Sequence, residues 1–203
     1  MTETPGFERG AVPADHADRE ALEALAAARG WERIEDRPPG FGETGRQVWR
    51  AGDAVRLVHL ESAELGARYV GAEGAAQEPV EEVFAAVAAV LPTVPVEEIL
   101  AGLLADPMPA PRDLLRGLNR LVAADLPALE SGGRRPEDPR YRQVVERLAG
   151  HPDRQVRRAL LSAADRLAAV RPGLAGPILA RRGEETELGH LVDAFAAAVE
   201  ARR

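Results

Sequence analysis

Gly150-His151-Pro152-Asp153-Arg154-Gln155-Val156-Arg157-Arg158-Ala159-Leu160 decides how the second half of this chain is read. A helix stops at Gly150, a proline turn follows, and a new helix opens near Asp153. A carboxylate there can cap the first turn and complements the helix dipole. Before the turn, Tyr141, Val144, Val145, Leu148 and Ala149 recur at helical spacing. After it, Val156, Leu160, Ala163, Ala164 and Leu167 do the same. The order helix end, proline turn, helix is already present at Leu103-Leu104-Ala105-Asp106-Pro107, which runs on through Leu114, Leu118, Leu121 and Val122. Leu104 and Leu148 lie 44 residues apart, and Leu121 and Leu167 lie 46 apart.

That recurrence falls within the ~40–47-residue period of HEAT and armadillo repeats. Residues 150–160 resemble a HEAT-repeat turn and second helix, in which an Asp/Pro turn is followed by Val-Arg and small residues. The resemblance covers about 94–203 as three helix pairs, 95–124, 139–170 and 172–203. The middle pair carries the signature; the first has Asp113-Leu114-Leu115-Arg116 in place of Val-Arg, and the last is short. The resemblance implies an α-solenoid that binds proteins and performs no chemistry. It also implies that Asp153 and Arg157 support the repeat turn and the stacking of repeats. At about 100° per residue, Arg157 borders the Val156/Leu160/Leu167 stripe while Arg154 and Arg158 point away. Arg140, Arg147, Arg154 and Arg158 are therefore the candidate partner-binding residues.

Towards the N-terminus the period changes. Residues 1–14 hold two Pro and two Gly with no periodicity, and read as a disordered tail. Helix signals begin at Asp15 and Asp18, continue through Leu22, Leu25 and Ala26, and end at Gly30. Trp31–Glu35 reads as a short strand, 37–45 as a Pro/Gly loop, and Val48–Arg50 with Val55–Glu61 as a hairpin. A turn at Glu64-Leu65-Gly66 leads to Ala67–Val70. Val80, Val83, Phe84, Val87 and Leu91 restart a helix, and Leu188, Leu191, Val192, Phe195 and Val199 form the last stripe. The expected fold class is α+β. A small antiparallel β-meander of three or four strands with flanking helices occupies 15–91, and the α-solenoid of HEAT-like helix pairs occupies 92–203. The N-terminal domain would cap the solenoid, whose terminal repeats need polar covers.

Composition narrows the chemistry. The 203 residues contain no cysteine, which excludes disulfides, thiolate metal sites and cysteine nucleophiles. All 26 basic residues are arginine, so lysine chemistry is excluded as well. Arginine for lysine, abundant alanine and one asparagine point to a GC-rich bacterial genome. The net charge of -7 divides unevenly: residues 1–91 carry 17 acids and 9 arginines, and 92–203 carry 16 acids and 17 arginines. An acidic whole disfavours nucleic acid as partner. The local exception, 134–171, has 10 arginines against 5 acids. Some HEAT-like folds are DNA glycosylases with an Arg-rich concave face, and nucleic-acid binding through 134–158 is a second alternative, yet aromatics for base stacking amount to only 4% here. No signal-peptide pattern precedes residue 20, and no apolar run approaches the ~20 residues of a membrane span. The expected compartment is the cytoplasm.

The remaining motifs read as structure. Gly40-Phe41-Gly42-Glu43-Thr44-Gly45 matches G-x-G-x-x-G, but two prolines precede it and a strand-like run follows, whereas a dinucleotide site needs a strand and then a helix. His151-Pro152-Asp153 is the tripeptide of J-domain cochaperones, which place it in a long loop between antiparallel helices; here it runs straight into a helix. His16, His59, His151 and His190 have no metal-ligand spacing. His59 and Glu61 share a strand face and, with Arg56 or Arg68, outline an alternative enzyme site at the domain junction. Glu81-Glu82, Glu97-Glu98 and Glu184-Glu185 sit near helix starts, and adjacent helical carboxylates diverge. None of Ser62, Ser131 and Ser162 sits in a nucleophile elbow. The sequence therefore predicts a non-catalytic adaptor or scaffold of a bacterial cytoplasm. Its partner is another protein with an acidic surface, and no cofactor or metal is expected. An immunity or antitoxin-like protein is one version, since small acidic α/β domains suit toxin blocking.

Overall fold

The computed structural model describes residues 6–14, 18–40, 43–63 and 66–202. Asp15, His16, Phe41, Gly42, Glu64 and Leu65, named above, lie outside the described residues. The chain divides into two compact units, 1–96 and 97–203.

The first unit is a mixed α/β layer. Its elements are β1 (Phe7–Pro13), α1 (Asp18–Arg29), β2 (Glu32–Arg37), β3 (Gly45–Arg50), β4 (Val55–Ser62), β5 (Ala67–Gly74), α2 (Gln77–Val90) and β6 (Thr93–Val94). The strands form one antiparallel sheet in the order β2-β3-β4-β5-β1-β6. The meander is therefore wider than expected, because both flanking segments join it. Residues 7–13 are a strand and not a tail: Phe7 pairs with Gly74 and Ala11 with Val70. Val94 pairs in turn with Val12, which moves the boundary from 91 to 96. Gly10 and Gly71 face each other across β1 and β5 because Tyr69 lies over both. A Cβ on either glycine would collide with its ring, and its hydroxyl donates to Glu8 at 2.7 Å.

Helices α1 and α2 cover one face of the sheet. Leu22 and Leu25 of α1 and Val80, Val83 and Val87 of α2 pack with Trp49, Leu57 and Val70 in one core. Each such large apolar side chain contributes about 1.5–3 kcal/mol. Gly30 ends α1 with φ 66°, the left-handed conformation that closes a helix.

The second unit is helical: α3 (Val96–Leu103), α4 (Pro111–Ala124), α5 (Leu126–Ser131), α6 (Pro139–Ala149), α7 (Arg154–Val170), a 3₁₀ turn at Pro172–Leu174, α8 (Ala175–Leu179) and α9 (Gly189–Ala201). Proline occupies the first turn of α4 and α6, where its missing N–H costs nothing. Helix α7 is the hub, packing against α4, α6 and α9, while α6 packs against α7 and α8. Among the described residues no helix is long and apolar enough to cross a membrane.

Candidate functional site

The arginine-rich segment does not form one free stripe, because most of its guanidiniums are tied to the fold. Asp138 caps α6, accepting from the Arg140 backbone N–H at 2.9 Å, and its carboxylate also takes the Arg140 guanidinium at 2.7 Å. The Arg140 hydrogen bond holds the Asp138 carboxyl below the usual range. Arg147 reaches back to the turn after α3 and donates to the carbonyls of Leu104 and Ala105 at 2.6 and 2.7 Å. These two candidate partner residues are thus held within their own unit.

The α6–α7 turn is built as a set of caps. Asp153 accepts from the Gln155 N–H at 2.7 Å and caps α7. Its own N–H donates to Nδ1 of buried His151 at 3.0 Å. Arg157 donates to the carbonyls of His151 and Pro152 at 2.8 and 3.0 Å, and to Glu185 at 2.8 Å. A further bond goes to Glu187. Burial opposes the Arg157 charge, but the two glutamates outweigh it and raise its pKa further. Burial likewise pushes Glu185 up, and the Arg157 contact overcomes this and lowers it. Arg157 therefore ties the turn to the segment leading into α9.

Arg154 and Arg158 flank this fork and are exposed. Among the described residues neither guanidinium has an ion-pair partner. Beside Arg158, α7 and α9 enclose a groove of about 370 Å³ lined by Leu161, Ser162, Asp165, Leu191, Ala194, Phe195 and Ala198. Its lining carboxylate, Asp165, accepts a bond from the Arg202 guanidinium at 2.9 Å.

A second cluster sits inside the first unit. His59 Nε2 lies 2.7 Å from Asp18 Oδ2, with the two residues 2% and 1% exposed. Arg68 Nε lies 3.5 Å from the other Asp18 oxygen, and Arg68 donates to Glu61 at 2.7 Å. The structure thus brings His59, Glu61 and Arg68 together, but against α1 within one unit. Arg56 projects from the opposite side of β4 and pairs with Glu73 at 3.0 Å. Asp18 was not singled out from sequence beyond its place at a helix start. Burial pushes its carboxyl up, but the hydrogen bond and charge of His59, the charge of Arg68 and the Arg19 N–H outweigh burial and leave it below the usual range. A pair this enclosed pins α1 to the sheet.

A third buried group was also missed. Arg171 grips Asp125 through two bonds of 2.8 and 3.0 Å, stacks 4.0 Å from the Tyr141 ring centre, and donates to the Pro136 carbonyl. Arg135 N–H donates to the Val170 carbonyl at 3.0 Å. The tract between α5 and α6 is fastened to the end of α7 by these bonds.

Compared with known protein families, curated proteins and solved structures, the chain matches none.

Proposed function

We propose that this chain is a non-catalytic adaptor or scaffold whose second unit is a HEAT-like stack of helix pairs. In this reading it binds a protein with an acidic surface through Arg154 and Arg158. The pairs in this reading are α3–α4, α6–α7 and α8–α9, of which α6–α7 and α8–α9 pack closely. Their second helices α4, α7 and α9 pack in series, as stacked repeats require. The observation that carries the binding assignment is the division of labour along the start of α7. Arg157 is fully engaged in the turn, whereas its neighbours Arg154 and Arg158 are exposed and without ion-pair partners among the described residues. Exposed arginines beside a groove steer and select an acidic partner more than they add affinity. The internal ties of Arg140, Arg147 and Arg171 weaken the nucleic-acid reading, and the enclosure of His59 weakens the enzyme reading.

The test is affinity capture from native lysate. Wild-type chain is expected to retain a protein that is released near 0.5 M salt, where the Debye length falls to about 4 Å. R154E/R158E is expected to lose it, and R142E to keep it. Retention by R154E/R158E, or co-purification of a nucleotide or metabolite instead, contradicts the proposal.

A further inference from the structure

We infer that the acidic surface met by Arg154 and Arg158 is helix α2 of a second copy of this chain, seated along the α7–α9 groove. This inference rests on the reading above and names its partner. Helix α2 turns Val80, Val83 and Val87 to its own sheet. Its other side, Glu78, Glu82, Ala85 and Ala89, is exposed. Spacings of four, three and four residues keep these on one stripe. Glu81 is taken by Arg9 at 3.9 Å, whereas Glu78 and Glu82 have no ion pair among the described residues. Helix α2 therefore shows two free carboxylates one turn apart, then a narrow row of methyl groups, with Val90 46% exposed at its end.

The first turns of α7 and the groove are the complement. Arg154 and Arg158 are one turn apart, followed by Ser162, with Ala194 and Ala198 across the groove. Glu78 set against Arg154 brings Glu82 against Arg158. Both helices then run on for seven residues, about 10 Å, where the α2 alanines meet a groove lined by Leu161, Ser162, Leu191, Ala194, Phe195 and Ala198. The narrow methyl row of α2 lets its backbone settle close to this apolar lining. The far end offers little repulsion, because Asp165 is already neutralised by Arg202. Net charge agrees in sign: residues 92–96 are uncharged, so unit 1–96 carries -8 and unit 97–203 carries +1.

Because the two surfaces differ, the contact is head-to-tail and either closes into a ring or extends. One helix in one groove falls below the roughly 1,200 Å² of stable interfaces, so a micromolar to sub-millimolar association is expected. Sedimentation velocity of the full chain across that range, in low salt and near 0.5 M salt, reads it. The expected result is a mass that rises with concentration, falls at high salt, and is reduced more than tenfold in apparent affinity by either E78R/E82R or R154E/R158E. Mixing the two variants must restore association, because each then supplies the charge the other lacks; restoration also proves both are folded. A chain monomeric throughout, variants that associate like wild type, or no rescue on mixing overturns the inference. If R154E/R158E also loses a lysate partner while the wild-type chain stays monomeric, the second-copy assignment fails and the adaptor reading stands.

Discussion

Replacing Arg171 with alanine strips three contacts at once: a bidentate bond to Asp125, the stack on Tyr141 and the tie to the Pro136 carbonyl. The Asp125 and Arg171 side chains are 3% and 9% exposed, so the variant leaves a carboxylate buried without its main partner. Breaking such a pair costs about 3–5 kcal/mol, because the surviving charge is neither solvated nor neutralised. Arg135 lies 3.7 Å from Asp125 and offsets part of this, which sets the expectation at about 3 kcal/mol. That is a large share of the roughly 5–15 kcal/mol that holds an ordinary domain folded. For a unit of this size it corresponds to a Tm lower by more than ~10 °C. The assay is urea unfolding followed by circular dichroism, with R171A, D125L and D125L/R171M compared. The double variant, which removes both charges, is expected to be more stable than R171A, since a pair replaced by apolar groups is often neutral. An R171A chain within 1 kcal/mol of wild type would refute the reasoning.

D153A removes the α7 cap and is expected to cost about 1 kcal/mol, whereas D153N, which still accepts from Gln155 N–H, keeps most of it; thermal melts decide. G71A is expected to cost about 1–3 kcal/mol by forcing the new methyl into Tyr69, and Y69L in the same chain should relieve much of that cost. The Asp18 carboxyl is held below its unfolded value of about 3.9, so its stabilisation is complete above that pH and is lost as pH falls through the folded value. An acid titration of wild type against D18N should show the variant less stable near neutrality and losing less stability below about pH 4; equal acid slopes would contradict the assignment.

Much of the helical pattern was legible because its period is local. Leu114, Leu118, Leu121, Tyr141, Val144, Leu148, Val156, Leu160 and Leu167 are all buried as their spacing predicts. The β3–β4 hairpin was equally legible, with Val48 paired to Val58 across a short turn. What escaped depends on distant residues. Strand β1 has a glycine and a proline in seven residues and becomes a strand by pairing with β5 and β6, about sixty and eighty residues on. The need for glycine at both Gly10 and Gly71 becomes visible only once the two strands lie side by side under Tyr69. Asp18 with His59, Asp125 with Arg171 and Arg147 with Leu104 join residues that share no sequence period. The same blindness inflated the arginine stripe, since sequence shows ten arginines but not which are already held by carbonyls and carboxylates. Arg154 and Arg158 are exposed and without ion pairs among the described residues, whereas Arg140 is bonded to Asp138 and Arg147 to the Leu104 and Ala105 carbonyls.

The most direct measurement places a photo-crosslinking residue at position 162, replacing Ser162 beside the α7–α9 groove, and a control at position 142, replacing exposed Arg142 on α6. Illumination in native lysate is predicted to give a protein adduct from position 162, lost when R154E/R158E is added to the same chain. Adducts from position 142 alone, or an adduct at 162 that persists in R154E/R158E, would contradict the claim that this face of α7 binds an acidic protein.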